Sequence, residues 1–87
     1  MSEVKKIMEV SGDYILDLND VTKAGVYLLD GYTSPKNCPP KSTTWSMGIL
    51  EVFTRYGDPI FQRATSINGE VAVRVHWKEN WTDWRVL

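Results

Sequence analysis

The chain has 87 residues and a formal net charge of −1, which is enough for one small domain. The near-zero charge argues against a general nucleic-acid partner, which needs a basic surface to hold phosphates. Cys38 is the only cysteine, so the chain forms neither an internal disulfide nor a thiolate metal site of its own. Neither an apolar run long enough to span a membrane nor the apolar centre of a signal peptide occurs, so we expect neither membrane insertion nor secretion by a signal peptide.

Residues 1–15 leave two alternatives open, a helix through Val4 and Met8 or a strand that opens at Tyr14. We expect these residues to be an N-terminal segment or linker in front of a β domain that spans residues 16–87.

The next thirty residues contain few regular elements. Segment 18–22 (LNDVT) predicts a single helical turn with Asn19 or Asp20 as its cap. Segment 26–29 (VYLL) predicts a short strand between two glycine-containing turns. Residues 32–44 hold three of the four prolines and little apolar side chain, so they predict a long loop.

From about residue 46 onward the pattern is that of a β-meander. Tyr56-Gly57-Asp58-Pro59 and Asn68-Gly69 are strong turn signals, and Asn68-Gly69 favours a two-residue type I′ hairpin. The segment between Glu70 and Trp77 alternates polar and apolar residues, which is typical of a half-buried strand. The predicted strands are 47–55, 60–67, 70–77 and 81–87. Together with strand 26–29 they predict a mainly β, antiparallel meander of about five strands.

The two turns fix which residues share a face of the predicted sheet. A two-residue Asn68-Gly69 loop pairs Ala64 with Val73 and Phe61 with His76. An odd-length loop after Thr54 avoids burying Glu51 and Arg55, because a one-residue slip turns every side chain to the opposite face. The predicted core face consists of Leu50, Val52, Thr54, Ile60, Gln62, Ala64, Val71, Val73, Val75 and Trp77.

The outer face of this predicted sheet carries one charged row and one aromatic row. Glu51, Arg63 and Arg74 form the first row, and Phe53, Phe61 and His76 form the second. Such a face is expected to be covered in the folded protein. The N-terminal segment, a neighbouring subunit or a ligand could cover it. An anionic sugar bound here would use Arg63 and Arg74 as paired donors beside a stacking ring.

The closing strand contains two of the four tryptophans, and a third, Trp77, ends the strand before it. The parity that turns Asp83 and Arg85 outward buries Trp84 and Val86, and Trp77 ends a core-facing strand. Trp81 then lies on the outward side or in the turn. Side chains three apart in a strand point to opposite faces, so Trp81 and Trp84 do not form one flat platform.

Motifs for catalysis are absent from the sequence. It contains no glycine-rich phosphate loop, GxSxG, HExxH or DxDxDG pattern. His76, the only histidine, is interpreted as a half-buried ring of the aromatic row, and Cys38 as a loop or buried cysteine. We therefore predict a non-enzymatic domain without metal or cofactor.

Several short patterns occur together in a fixed order: an L-N-D turn, G-x-Y, N-x-P, a G-x-L-x-V strand, a glutamine strand, an arginine strand and W-x-x-W. In this combination the sequence resembles the pyocin-knob family, small β domains on the tail fibres of phages and phage-derived bacteriocins. The match covers about residues 16–87, although Cys38 stands where the family has a small residue. The residues that carry the resemblance are Leu18, Asn19, Asp20, Gly25, Tyr27, Asn37, Pro39, Gly48, Leu50, Val52, Gln62, Arg74, Trp81 and Trp84.

The resemblance implies a structural or receptor-contacting domain of a virion tail fibre or baseplate that acts in host-cell attachment. It implies other tail-fibre subunits as partners, in a homotrimer, with a host-surface glycan as a further partner. The alternatives are a carbohydrate-binding module with Trp45, Trp81 or Tyr32 as stacking rings, and an accessory domain of a polysaccharide-degrading tail protein. The candidate contact residues are Phe53, Phe61, Arg63, Arg74, His76, Trp81, Trp45 and Tyr32.

Overall fold

A computed structural model of the chain describes residues 4–6, 17–30, 34–40 and 45–87. Within these residues no helix is long and apolar enough to cross a membrane. The elements are β1 (Val4–Lys6), a 3₁₀ turn (Leu18–Asp20), β2 (Gly25–Asp30), β3 (Met47–Thr54), β4 (Ile60–Ser66), β5 (Val71–Trp77), β6 (Asn80–Trp81) and β7 (Arg85–Val86). The prediction of a mainly β protein with one short helical turn is confirmed.

The strands form one sheet in the order β1-β2-β3-β4-β5-β6, and β7 also pairs with β5. Every neighbouring pair from β2 onward is antiparallel, so the predicted meander is confirmed, whereas β1 pairs with β2 in parallel. Val4 therefore lies in a strand and not in a helix. Because residues 4–6 extend the sheet at the edge beside β2, they do not lie across either of its faces.

The register between β3 and β4 is the predicted one. Thr54 pairs with Ile60 across an odd-length loop, and Phe53 pairs with Phe61. Leu50, Val52 and Ala64 are buried on one face of the sheet, which we call the core face. Phe53, Phe61 and their neighbours Glu51 and Arg63 lie on the opposite face, called the outer face.

The predicted register between β4 and β5 is wrong by one residue. The loop is three residues long, 67–69, because the Ser66 amide donates to the Glu70 carbonyl, at 2.9 Å. A type I′ turn needs positive φ at both central residues, but here Gly69 has a φ of 86° while Asn68 stays in the ordinary region. This is the geometry of a type I turn followed by a glycine bulge.

This shift exchanges the two faces of β5. Ala72 now pairs with Ala64 and Arg74 with Gln62, so both lie on the core face and are buried. The valines of β5 and Trp77 turn to the outer face, and Trp77, predicted to be core, is 51% exposed. The shift also separates Arg74 and His76 from the outer rows predicted for them. Arg63 faces Val73, which removes the like-charge pair that the predicted register contained.

The core lies between the core face and the chain segments that precede β2 and β3. Leu18 and Val21, at either end of the 3₁₀ turn, are buried against the sheet, as is Trp45. The cap of this turn is Asp17, not Asn19 or Asp20, because the Asp17 carboxylate accepts the Asn19 amide at 2.9 Å. The buried apolar residues are Leu18, Val21, Tyr27, Leu29, Trp45, Leu50, Val52, Ile60, Ala64 and Ala72.

The last predicted strand is divided by a β-bulge. From Val73 to His76 is three steps along β5, but their partners, Arg85 and Trp81, are four steps apart. One extra residue therefore lies between β6 and β7, and it reverses the alternation of side chains. Trp81 and Trp84 consequently reach the same face, contrary to the sequence prediction. Val86, which was predicted to be buried, is exposed.

Candidate functional site

The centre of the site is the guanidinium of Arg74, which lies between two tryptophan rings. Its carbon is 3.9 Å from the centroid of Trp81 and 4.6 Å from that of Trp84. Arg74 is only 5% exposed, so both cation–π contacts form away from water, where such contacts are strongest. The bulge places the two rings on the same side of the sheet, and the register of β5 places Arg74 beneath them.

Gln62 connects this guanidinium to the 3₁₀ turn. Its side-chain oxygen accepts the Nε–H of Arg74 at 2.8 Å. Its amide nitrogen donates to the carbonyls of Leu18 and Val21, both at 2.9 Å. The Leu18 carbonyl also accepts the Val21 amide at 3.2 Å, whereas the Val21 carbonyl lies just past the end of the turn. One buried amide therefore joins the sheet, the turn and the cation.

Asn37 fastens the segment 34–40 to the same network. Its backbone has a φ of 59°, a conformation that Asn tolerates better than most residues. Its side chain donates to the Asp17 carboxylate at 2.8 Å, and its carbonyl accepts the indole N–H of Trp84 at 2.7 Å. The hydrogen bonds from Asn37 and from the Asn19 amide hold the pKa of Asp17 below its ordinary value.

The site retains unsatisfied polar groups. Burial lowers the pKa of Arg74 to about 10, and the charge of Asp17 partly offsets this effect. The guanidinium therefore stays charged at neutral pH, yet no carboxylate of the described residues forms an ion pair with it. The Nη2 group of Arg74 and the side-chain oxygen of Asn19 are both buried without a hydrogen-bond partner. Groups of this kind are rare in folded proteins and require an explanation, such as a bound water molecule, a bound ion or strain.

A cleft of about 530 Å³ opens over this network, between segment 34–40 and the connection from β6 to β7. Arg74 forms part of its wall, with the two tryptophans beside it. The cleft is lined by Asn19, Asn37, Cys38, Pro40, Arg74, Trp81, Thr82, Asp83 and Trp84. It therefore combines aromatic rings, a cation, a carboxylate and amide groups within one concave surface.

His76 lies beside the cleft and not in the predicted aromatic row. Its Nδ1 is 2.8 Å from the Asp58 carboxylate, and its ring packs edge-on against Trp81 at 4.9 Å between centroids. The second oxygen of Asp58 accepts the amide of Lys78 at 3.1 Å. The contact with His76 and this amide lower the pKa of Asp58. The pair thus ties the turn before β4 to the end of β5 and orients Trp81.

The outer face has a different chemistry. Phe53 is 55% and Phe61 46% exposed, and the nearby Arg63 forms an ion pair with Glu51 at 2.7 Å. Shallow depressions of about 430 and 320 Å³ lie on either side of this ion pair. The apolar side chains of this face are Val26, Leu28, Met47, Ile49, Phe53, Phe61, Val71, Val73, Val75 and Trp77.

The structure divides the predicted contact residues between the two faces. Phe53, Phe61 and Arg63 lie on the outer face, while Arg74, His76 and Trp81 lie on the other side. Arg63 and Arg74 therefore do not act as paired donors for one anion. Trp45 is buried in the core, which corrects its prediction as a stacking ring, and Tyr32 lies outside the described residues.

Sequence reasoning missed Gln62 and Trp84 as members of the site. A glutamine in the middle of an otherwise apolar, core-facing pattern was the signal for the first, because a buried amide requires partners. No local signal revealed the bulge that brings Trp84 to Arg74. Cys38 lines the cleft half-buried, and this burial raises the pKa of its thiol.

Among the described residues, no group of three or more histidine, cysteine, aspartate or glutamate side chains is arranged to hold a metal ion. No family model matches the chain, and the comparisons with curated proteins and with solved structures found no match either. The resemblance to the pyocin-knob family thus stays a prediction that rests on the residues given above.

Proposed function

We propose that this chain is a non-catalytic contact domain of a phage tail fibre or baseplate protein, part of the virion, that acts in host-cell attachment. The observation that carries the proposal is the apolar outer face of the sheet. An antiparallel sheet with one solvated face ordinarily alternates apolar and polar side chains. Here both faces are apolar, and an exposed apolar patch of this kind is typical of a protein–protein contact.

A neighbouring copy of the chain is the partner that this face fits best. The described part of the N-terminal segment, residues 4–6, pairs at the sheet edge and leaves the outer face open. Apolar side chains flank the ion pair between Glu51 and Arg63 on both sides, and a subunit contact would remove them from water. The homotrimer that the resemblance implies would bury this face.

The network around Arg74 supports the same assignment in a second way. Gln62, Asn37 and Trp84 belong to the ordered patterns of the resemblance, and each makes a hydrogen bond of this network. The patterns therefore coincide with the contacts that hold the 3₁₀ turn, segment 34–40 and the bulge together.

Sedimentation equilibrium over a wide range of protein concentrations tests the proposal. We expect an assembly larger than the monomer, which dissociates on dilution. The double substitution Phe53→Ser and Phe61→Ser removes two exposed rings from the outer face and should shift the association constant by 100-fold or more, since apolar contacts at an interface centre dominate binding.

Tyr56→Ser is the matched control, because Tyr56 is an exposed aromatic residue in the turn after β3 and not on the outer face. It should associate like the unchanged chain. A chain that stays monomeric at every concentration, or a double variant that associates as well as the control, would refute the subunit contact.

A carbohydrate-binding module is the second candidate, and the cleft at Arg74 favours it. Two tryptophan rings with hydrogen-bonding groups between them are the usual elements of a sugar site. The same cleft would serve an accessory domain of a polysaccharide-degrading tail protein. This candidate uses the opposite side of the sheet from the subunit contact, so both activities are compatible in one domain.

A further inference from the structure

The cleft contains a donor and an acceptor that have no partner. The Nη2 group of Arg74 can only donate hydrogen bonds, and the side-chain oxygen of Asn19 can only accept them. Both are buried, and both residues line the cleft. A buried polar group without a partner is costly, so a ligand that satisfies both groups would gain affinity from these two hydrogen bonds. A hydroxyl group donates and accepts at once and fits this requirement.

The charges around the cleft disfavour an anion. Asp83 lines the opening with an exposed carboxylate, and Asp17 is close enough to Arg74 to affect its pKa. With Asp17 acting on Arg74 and Asp83 lining the same cleft, the cleft has no excess positive charge for a carboxylate or phosphate ligand. The same carboxylate of Asp83 is, however, a strong acceptor for a sugar hydroxyl.

The aromatic rings indicate the shape of the ligand. Trp81 and Trp84 are half-buried, so each contacts Arg74 while part of its surface remains in the cleft. Flat apolar rings beside hydrogen-bonding groups suit a ligand that has both a C–H surface and hydroxyl groups. The volume of about 530 Å³ is in the range of small-molecule sites and holds one or two pyranose rings.

We propose that this cleft binds an uncharged sugar unit of a polysaccharide, with hydroxyl groups between Arg74, Asn19 and Asp83. The inference rests on the proposed role in host-cell attachment, and it names the class of host-surface molecule that the domain would bind. A buried water molecule would satisfy the same two groups without any ligand, and the experiment distinguishes the two cases.

The four indole N–H signals of the ¹⁵N-labelled chain report on the cleft directly. We would titrate the protein with glucose, galactose, mannose, rhamnose and N-acetylglucosamine, and with galacturonic and N-acetylneuraminic acids as anionic counterparts. Saturable shifts of the Trp81 and Trp84 signals are expected with at least one neutral sugar, with a Kd on the order of 1 mM. The signals of Trp77, on the outer face, and of buried Trp45 should stay in place.

Asp83→Ala tests the cleft without disturbing its framework, because the Asp83 side chain is exposed and makes no hydrogen bond within the described residues. Its affinity for the neutral sugar should fall about 10-fold, as is typical when one charged hydrogen-bond partner is lost. Asp20→Ala is the matched control, since Asp20 is an exposed aspartate outside the cleft, and its affinity should not change.

Three results would overturn the inference. They are the absence of shifts with every sugar, tighter binding of the anionic sugars, and shifts confined to Trp77. The first is the result expected of a cleft that holds only water. Self-association measured on the same samples separates this outcome from a failure of the proposed function. Self-association without sugar binding would refute the sugar site alone. Sugar binding without self-association would refute the subunit contact alone.

Discussion

The two faces of the sheet hold their arginines in opposite ways. On the outer face, the side chain of Arg63 is 53% exposed and pairs with Glu51 at 2.7 Å. On the core face, Arg74 is buried between two tryptophan rings, and its hydrogen-bond partner among the described residues is a glutamine and not a carboxylate. The exposed cation has a close ion pair, whereas the buried cation has none within the described part of the chain.

The difference shows that an ion pair is a poor measure of how much a charge matters to a fold. An exposed pair is screened by water and salt and contributes about 0.2–1 kcal/mol. A buried cation has lost its hydration, so each contact that remains to it is difficult to replace. Arg74 and Gln62 therefore belong to the framework of the domain, while Arg63 and Glu51 are free to serve a contact surface.

Gln62→Leu should give the largest effect in the molecule. The substitution keeps the volume but removes the partner of the Arg74 Nε–H and one hydrogen bond from each of the carbonyls of Leu18 and Val21. We expect a loss of about 4 kcal/mol in the free energy of unfolding, a large share of the stability of a small domain. Urea denaturation followed by circular dichroism measures it. A loss of less than about 1 kcal/mol would mean that water replaces the amide easily.

The tryptophans offer a second contrast between the faces. Trp84→Ala removes a ring that contacts Arg74 and an indole N–H that donates to the Asn37 carbonyl, so the free energy of unfolding should fall by about 2 kcal/mol. Trp77→Ala removes a ring of equal size from the outer face and should cost less than about 1 kcal/mol. Equal losses for the two variants, in the same urea assay, would contradict the assignment of Trp77 to the outer face.

The sequence predicted the strands well because their signals are local. Alternating residues and turn signals located β2 to β5 and the register between β3 and β4, where the alternative register would have buried Glu51 and Arg55. The register between β4 and β5 was wrong because Asn68-Gly69 is compatible with both a two-residue and a three-residue loop. Tertiary contacts decide between the two, since only the three-residue loop pairs Arg74 with Gln62.

The site could be predicted only in part, because it depends on two one-residue irregularities. The glycine bulge after Ser66 turns Arg74 to the core face, and the bulge between β6 and β7 turns Trp81 and Trp84 towards it. Each irregularity reverses the parity of every residue that follows in its strand. Sequence patterning assumes unbroken alternation, so it named Arg74 and Trp81 but placed Arg74 on the outer face and separated Trp81 from Trp84.

Arg63→Ala should have a small effect on stability, in line with an exposed pair. The free energy of unfolding is expected to change by no more than about 1 kcal/mol at low salt, and by less at 1 M NaCl, where the ion pair is screened. The same urea assay at two salt concentrations measures this. A loss as large as that of Gln62→Leu would remove the distinction between the two faces.

The contact between Asp58 and His76 should produce an effect that depends on pH and is the smallest of the set. Asp58 is partly exposed, and the contacts with His76 and the Lys78 amide lower its pKa in the folded chain. A carboxyl group whose pKa is lower when folded stabilises the fold above its unfolded pKa, near 4. This contribution disappears as the pH falls through the folded-state pKa. Asp58→Asn should therefore lower the Tm at pH 6, and its Tm should converge with that of the unchanged chain as the pH falls through the lowered pKa of Asp58.

The comparison of the two melting curves isolates Asp58, because every other titrating group is common to both proteins. Asp20→Asn serves as the control, since the Asp20 side chain is exposed and makes no hydrogen bond within the described residues, and its Tm should follow that of the unchanged chain at each pH. The contrary result is a Tm difference between Asp58→Asn and the unchanged chain that stays constant from pH 6 to pH 3. Such a result would show that the charge of the Asp58 carboxylate does not hold the turn before β4 against β5. In that case a hydrogen bond to His76 that does not need the charge, and that asparagine can also form, would hold Trp81 at the edge of the cleft.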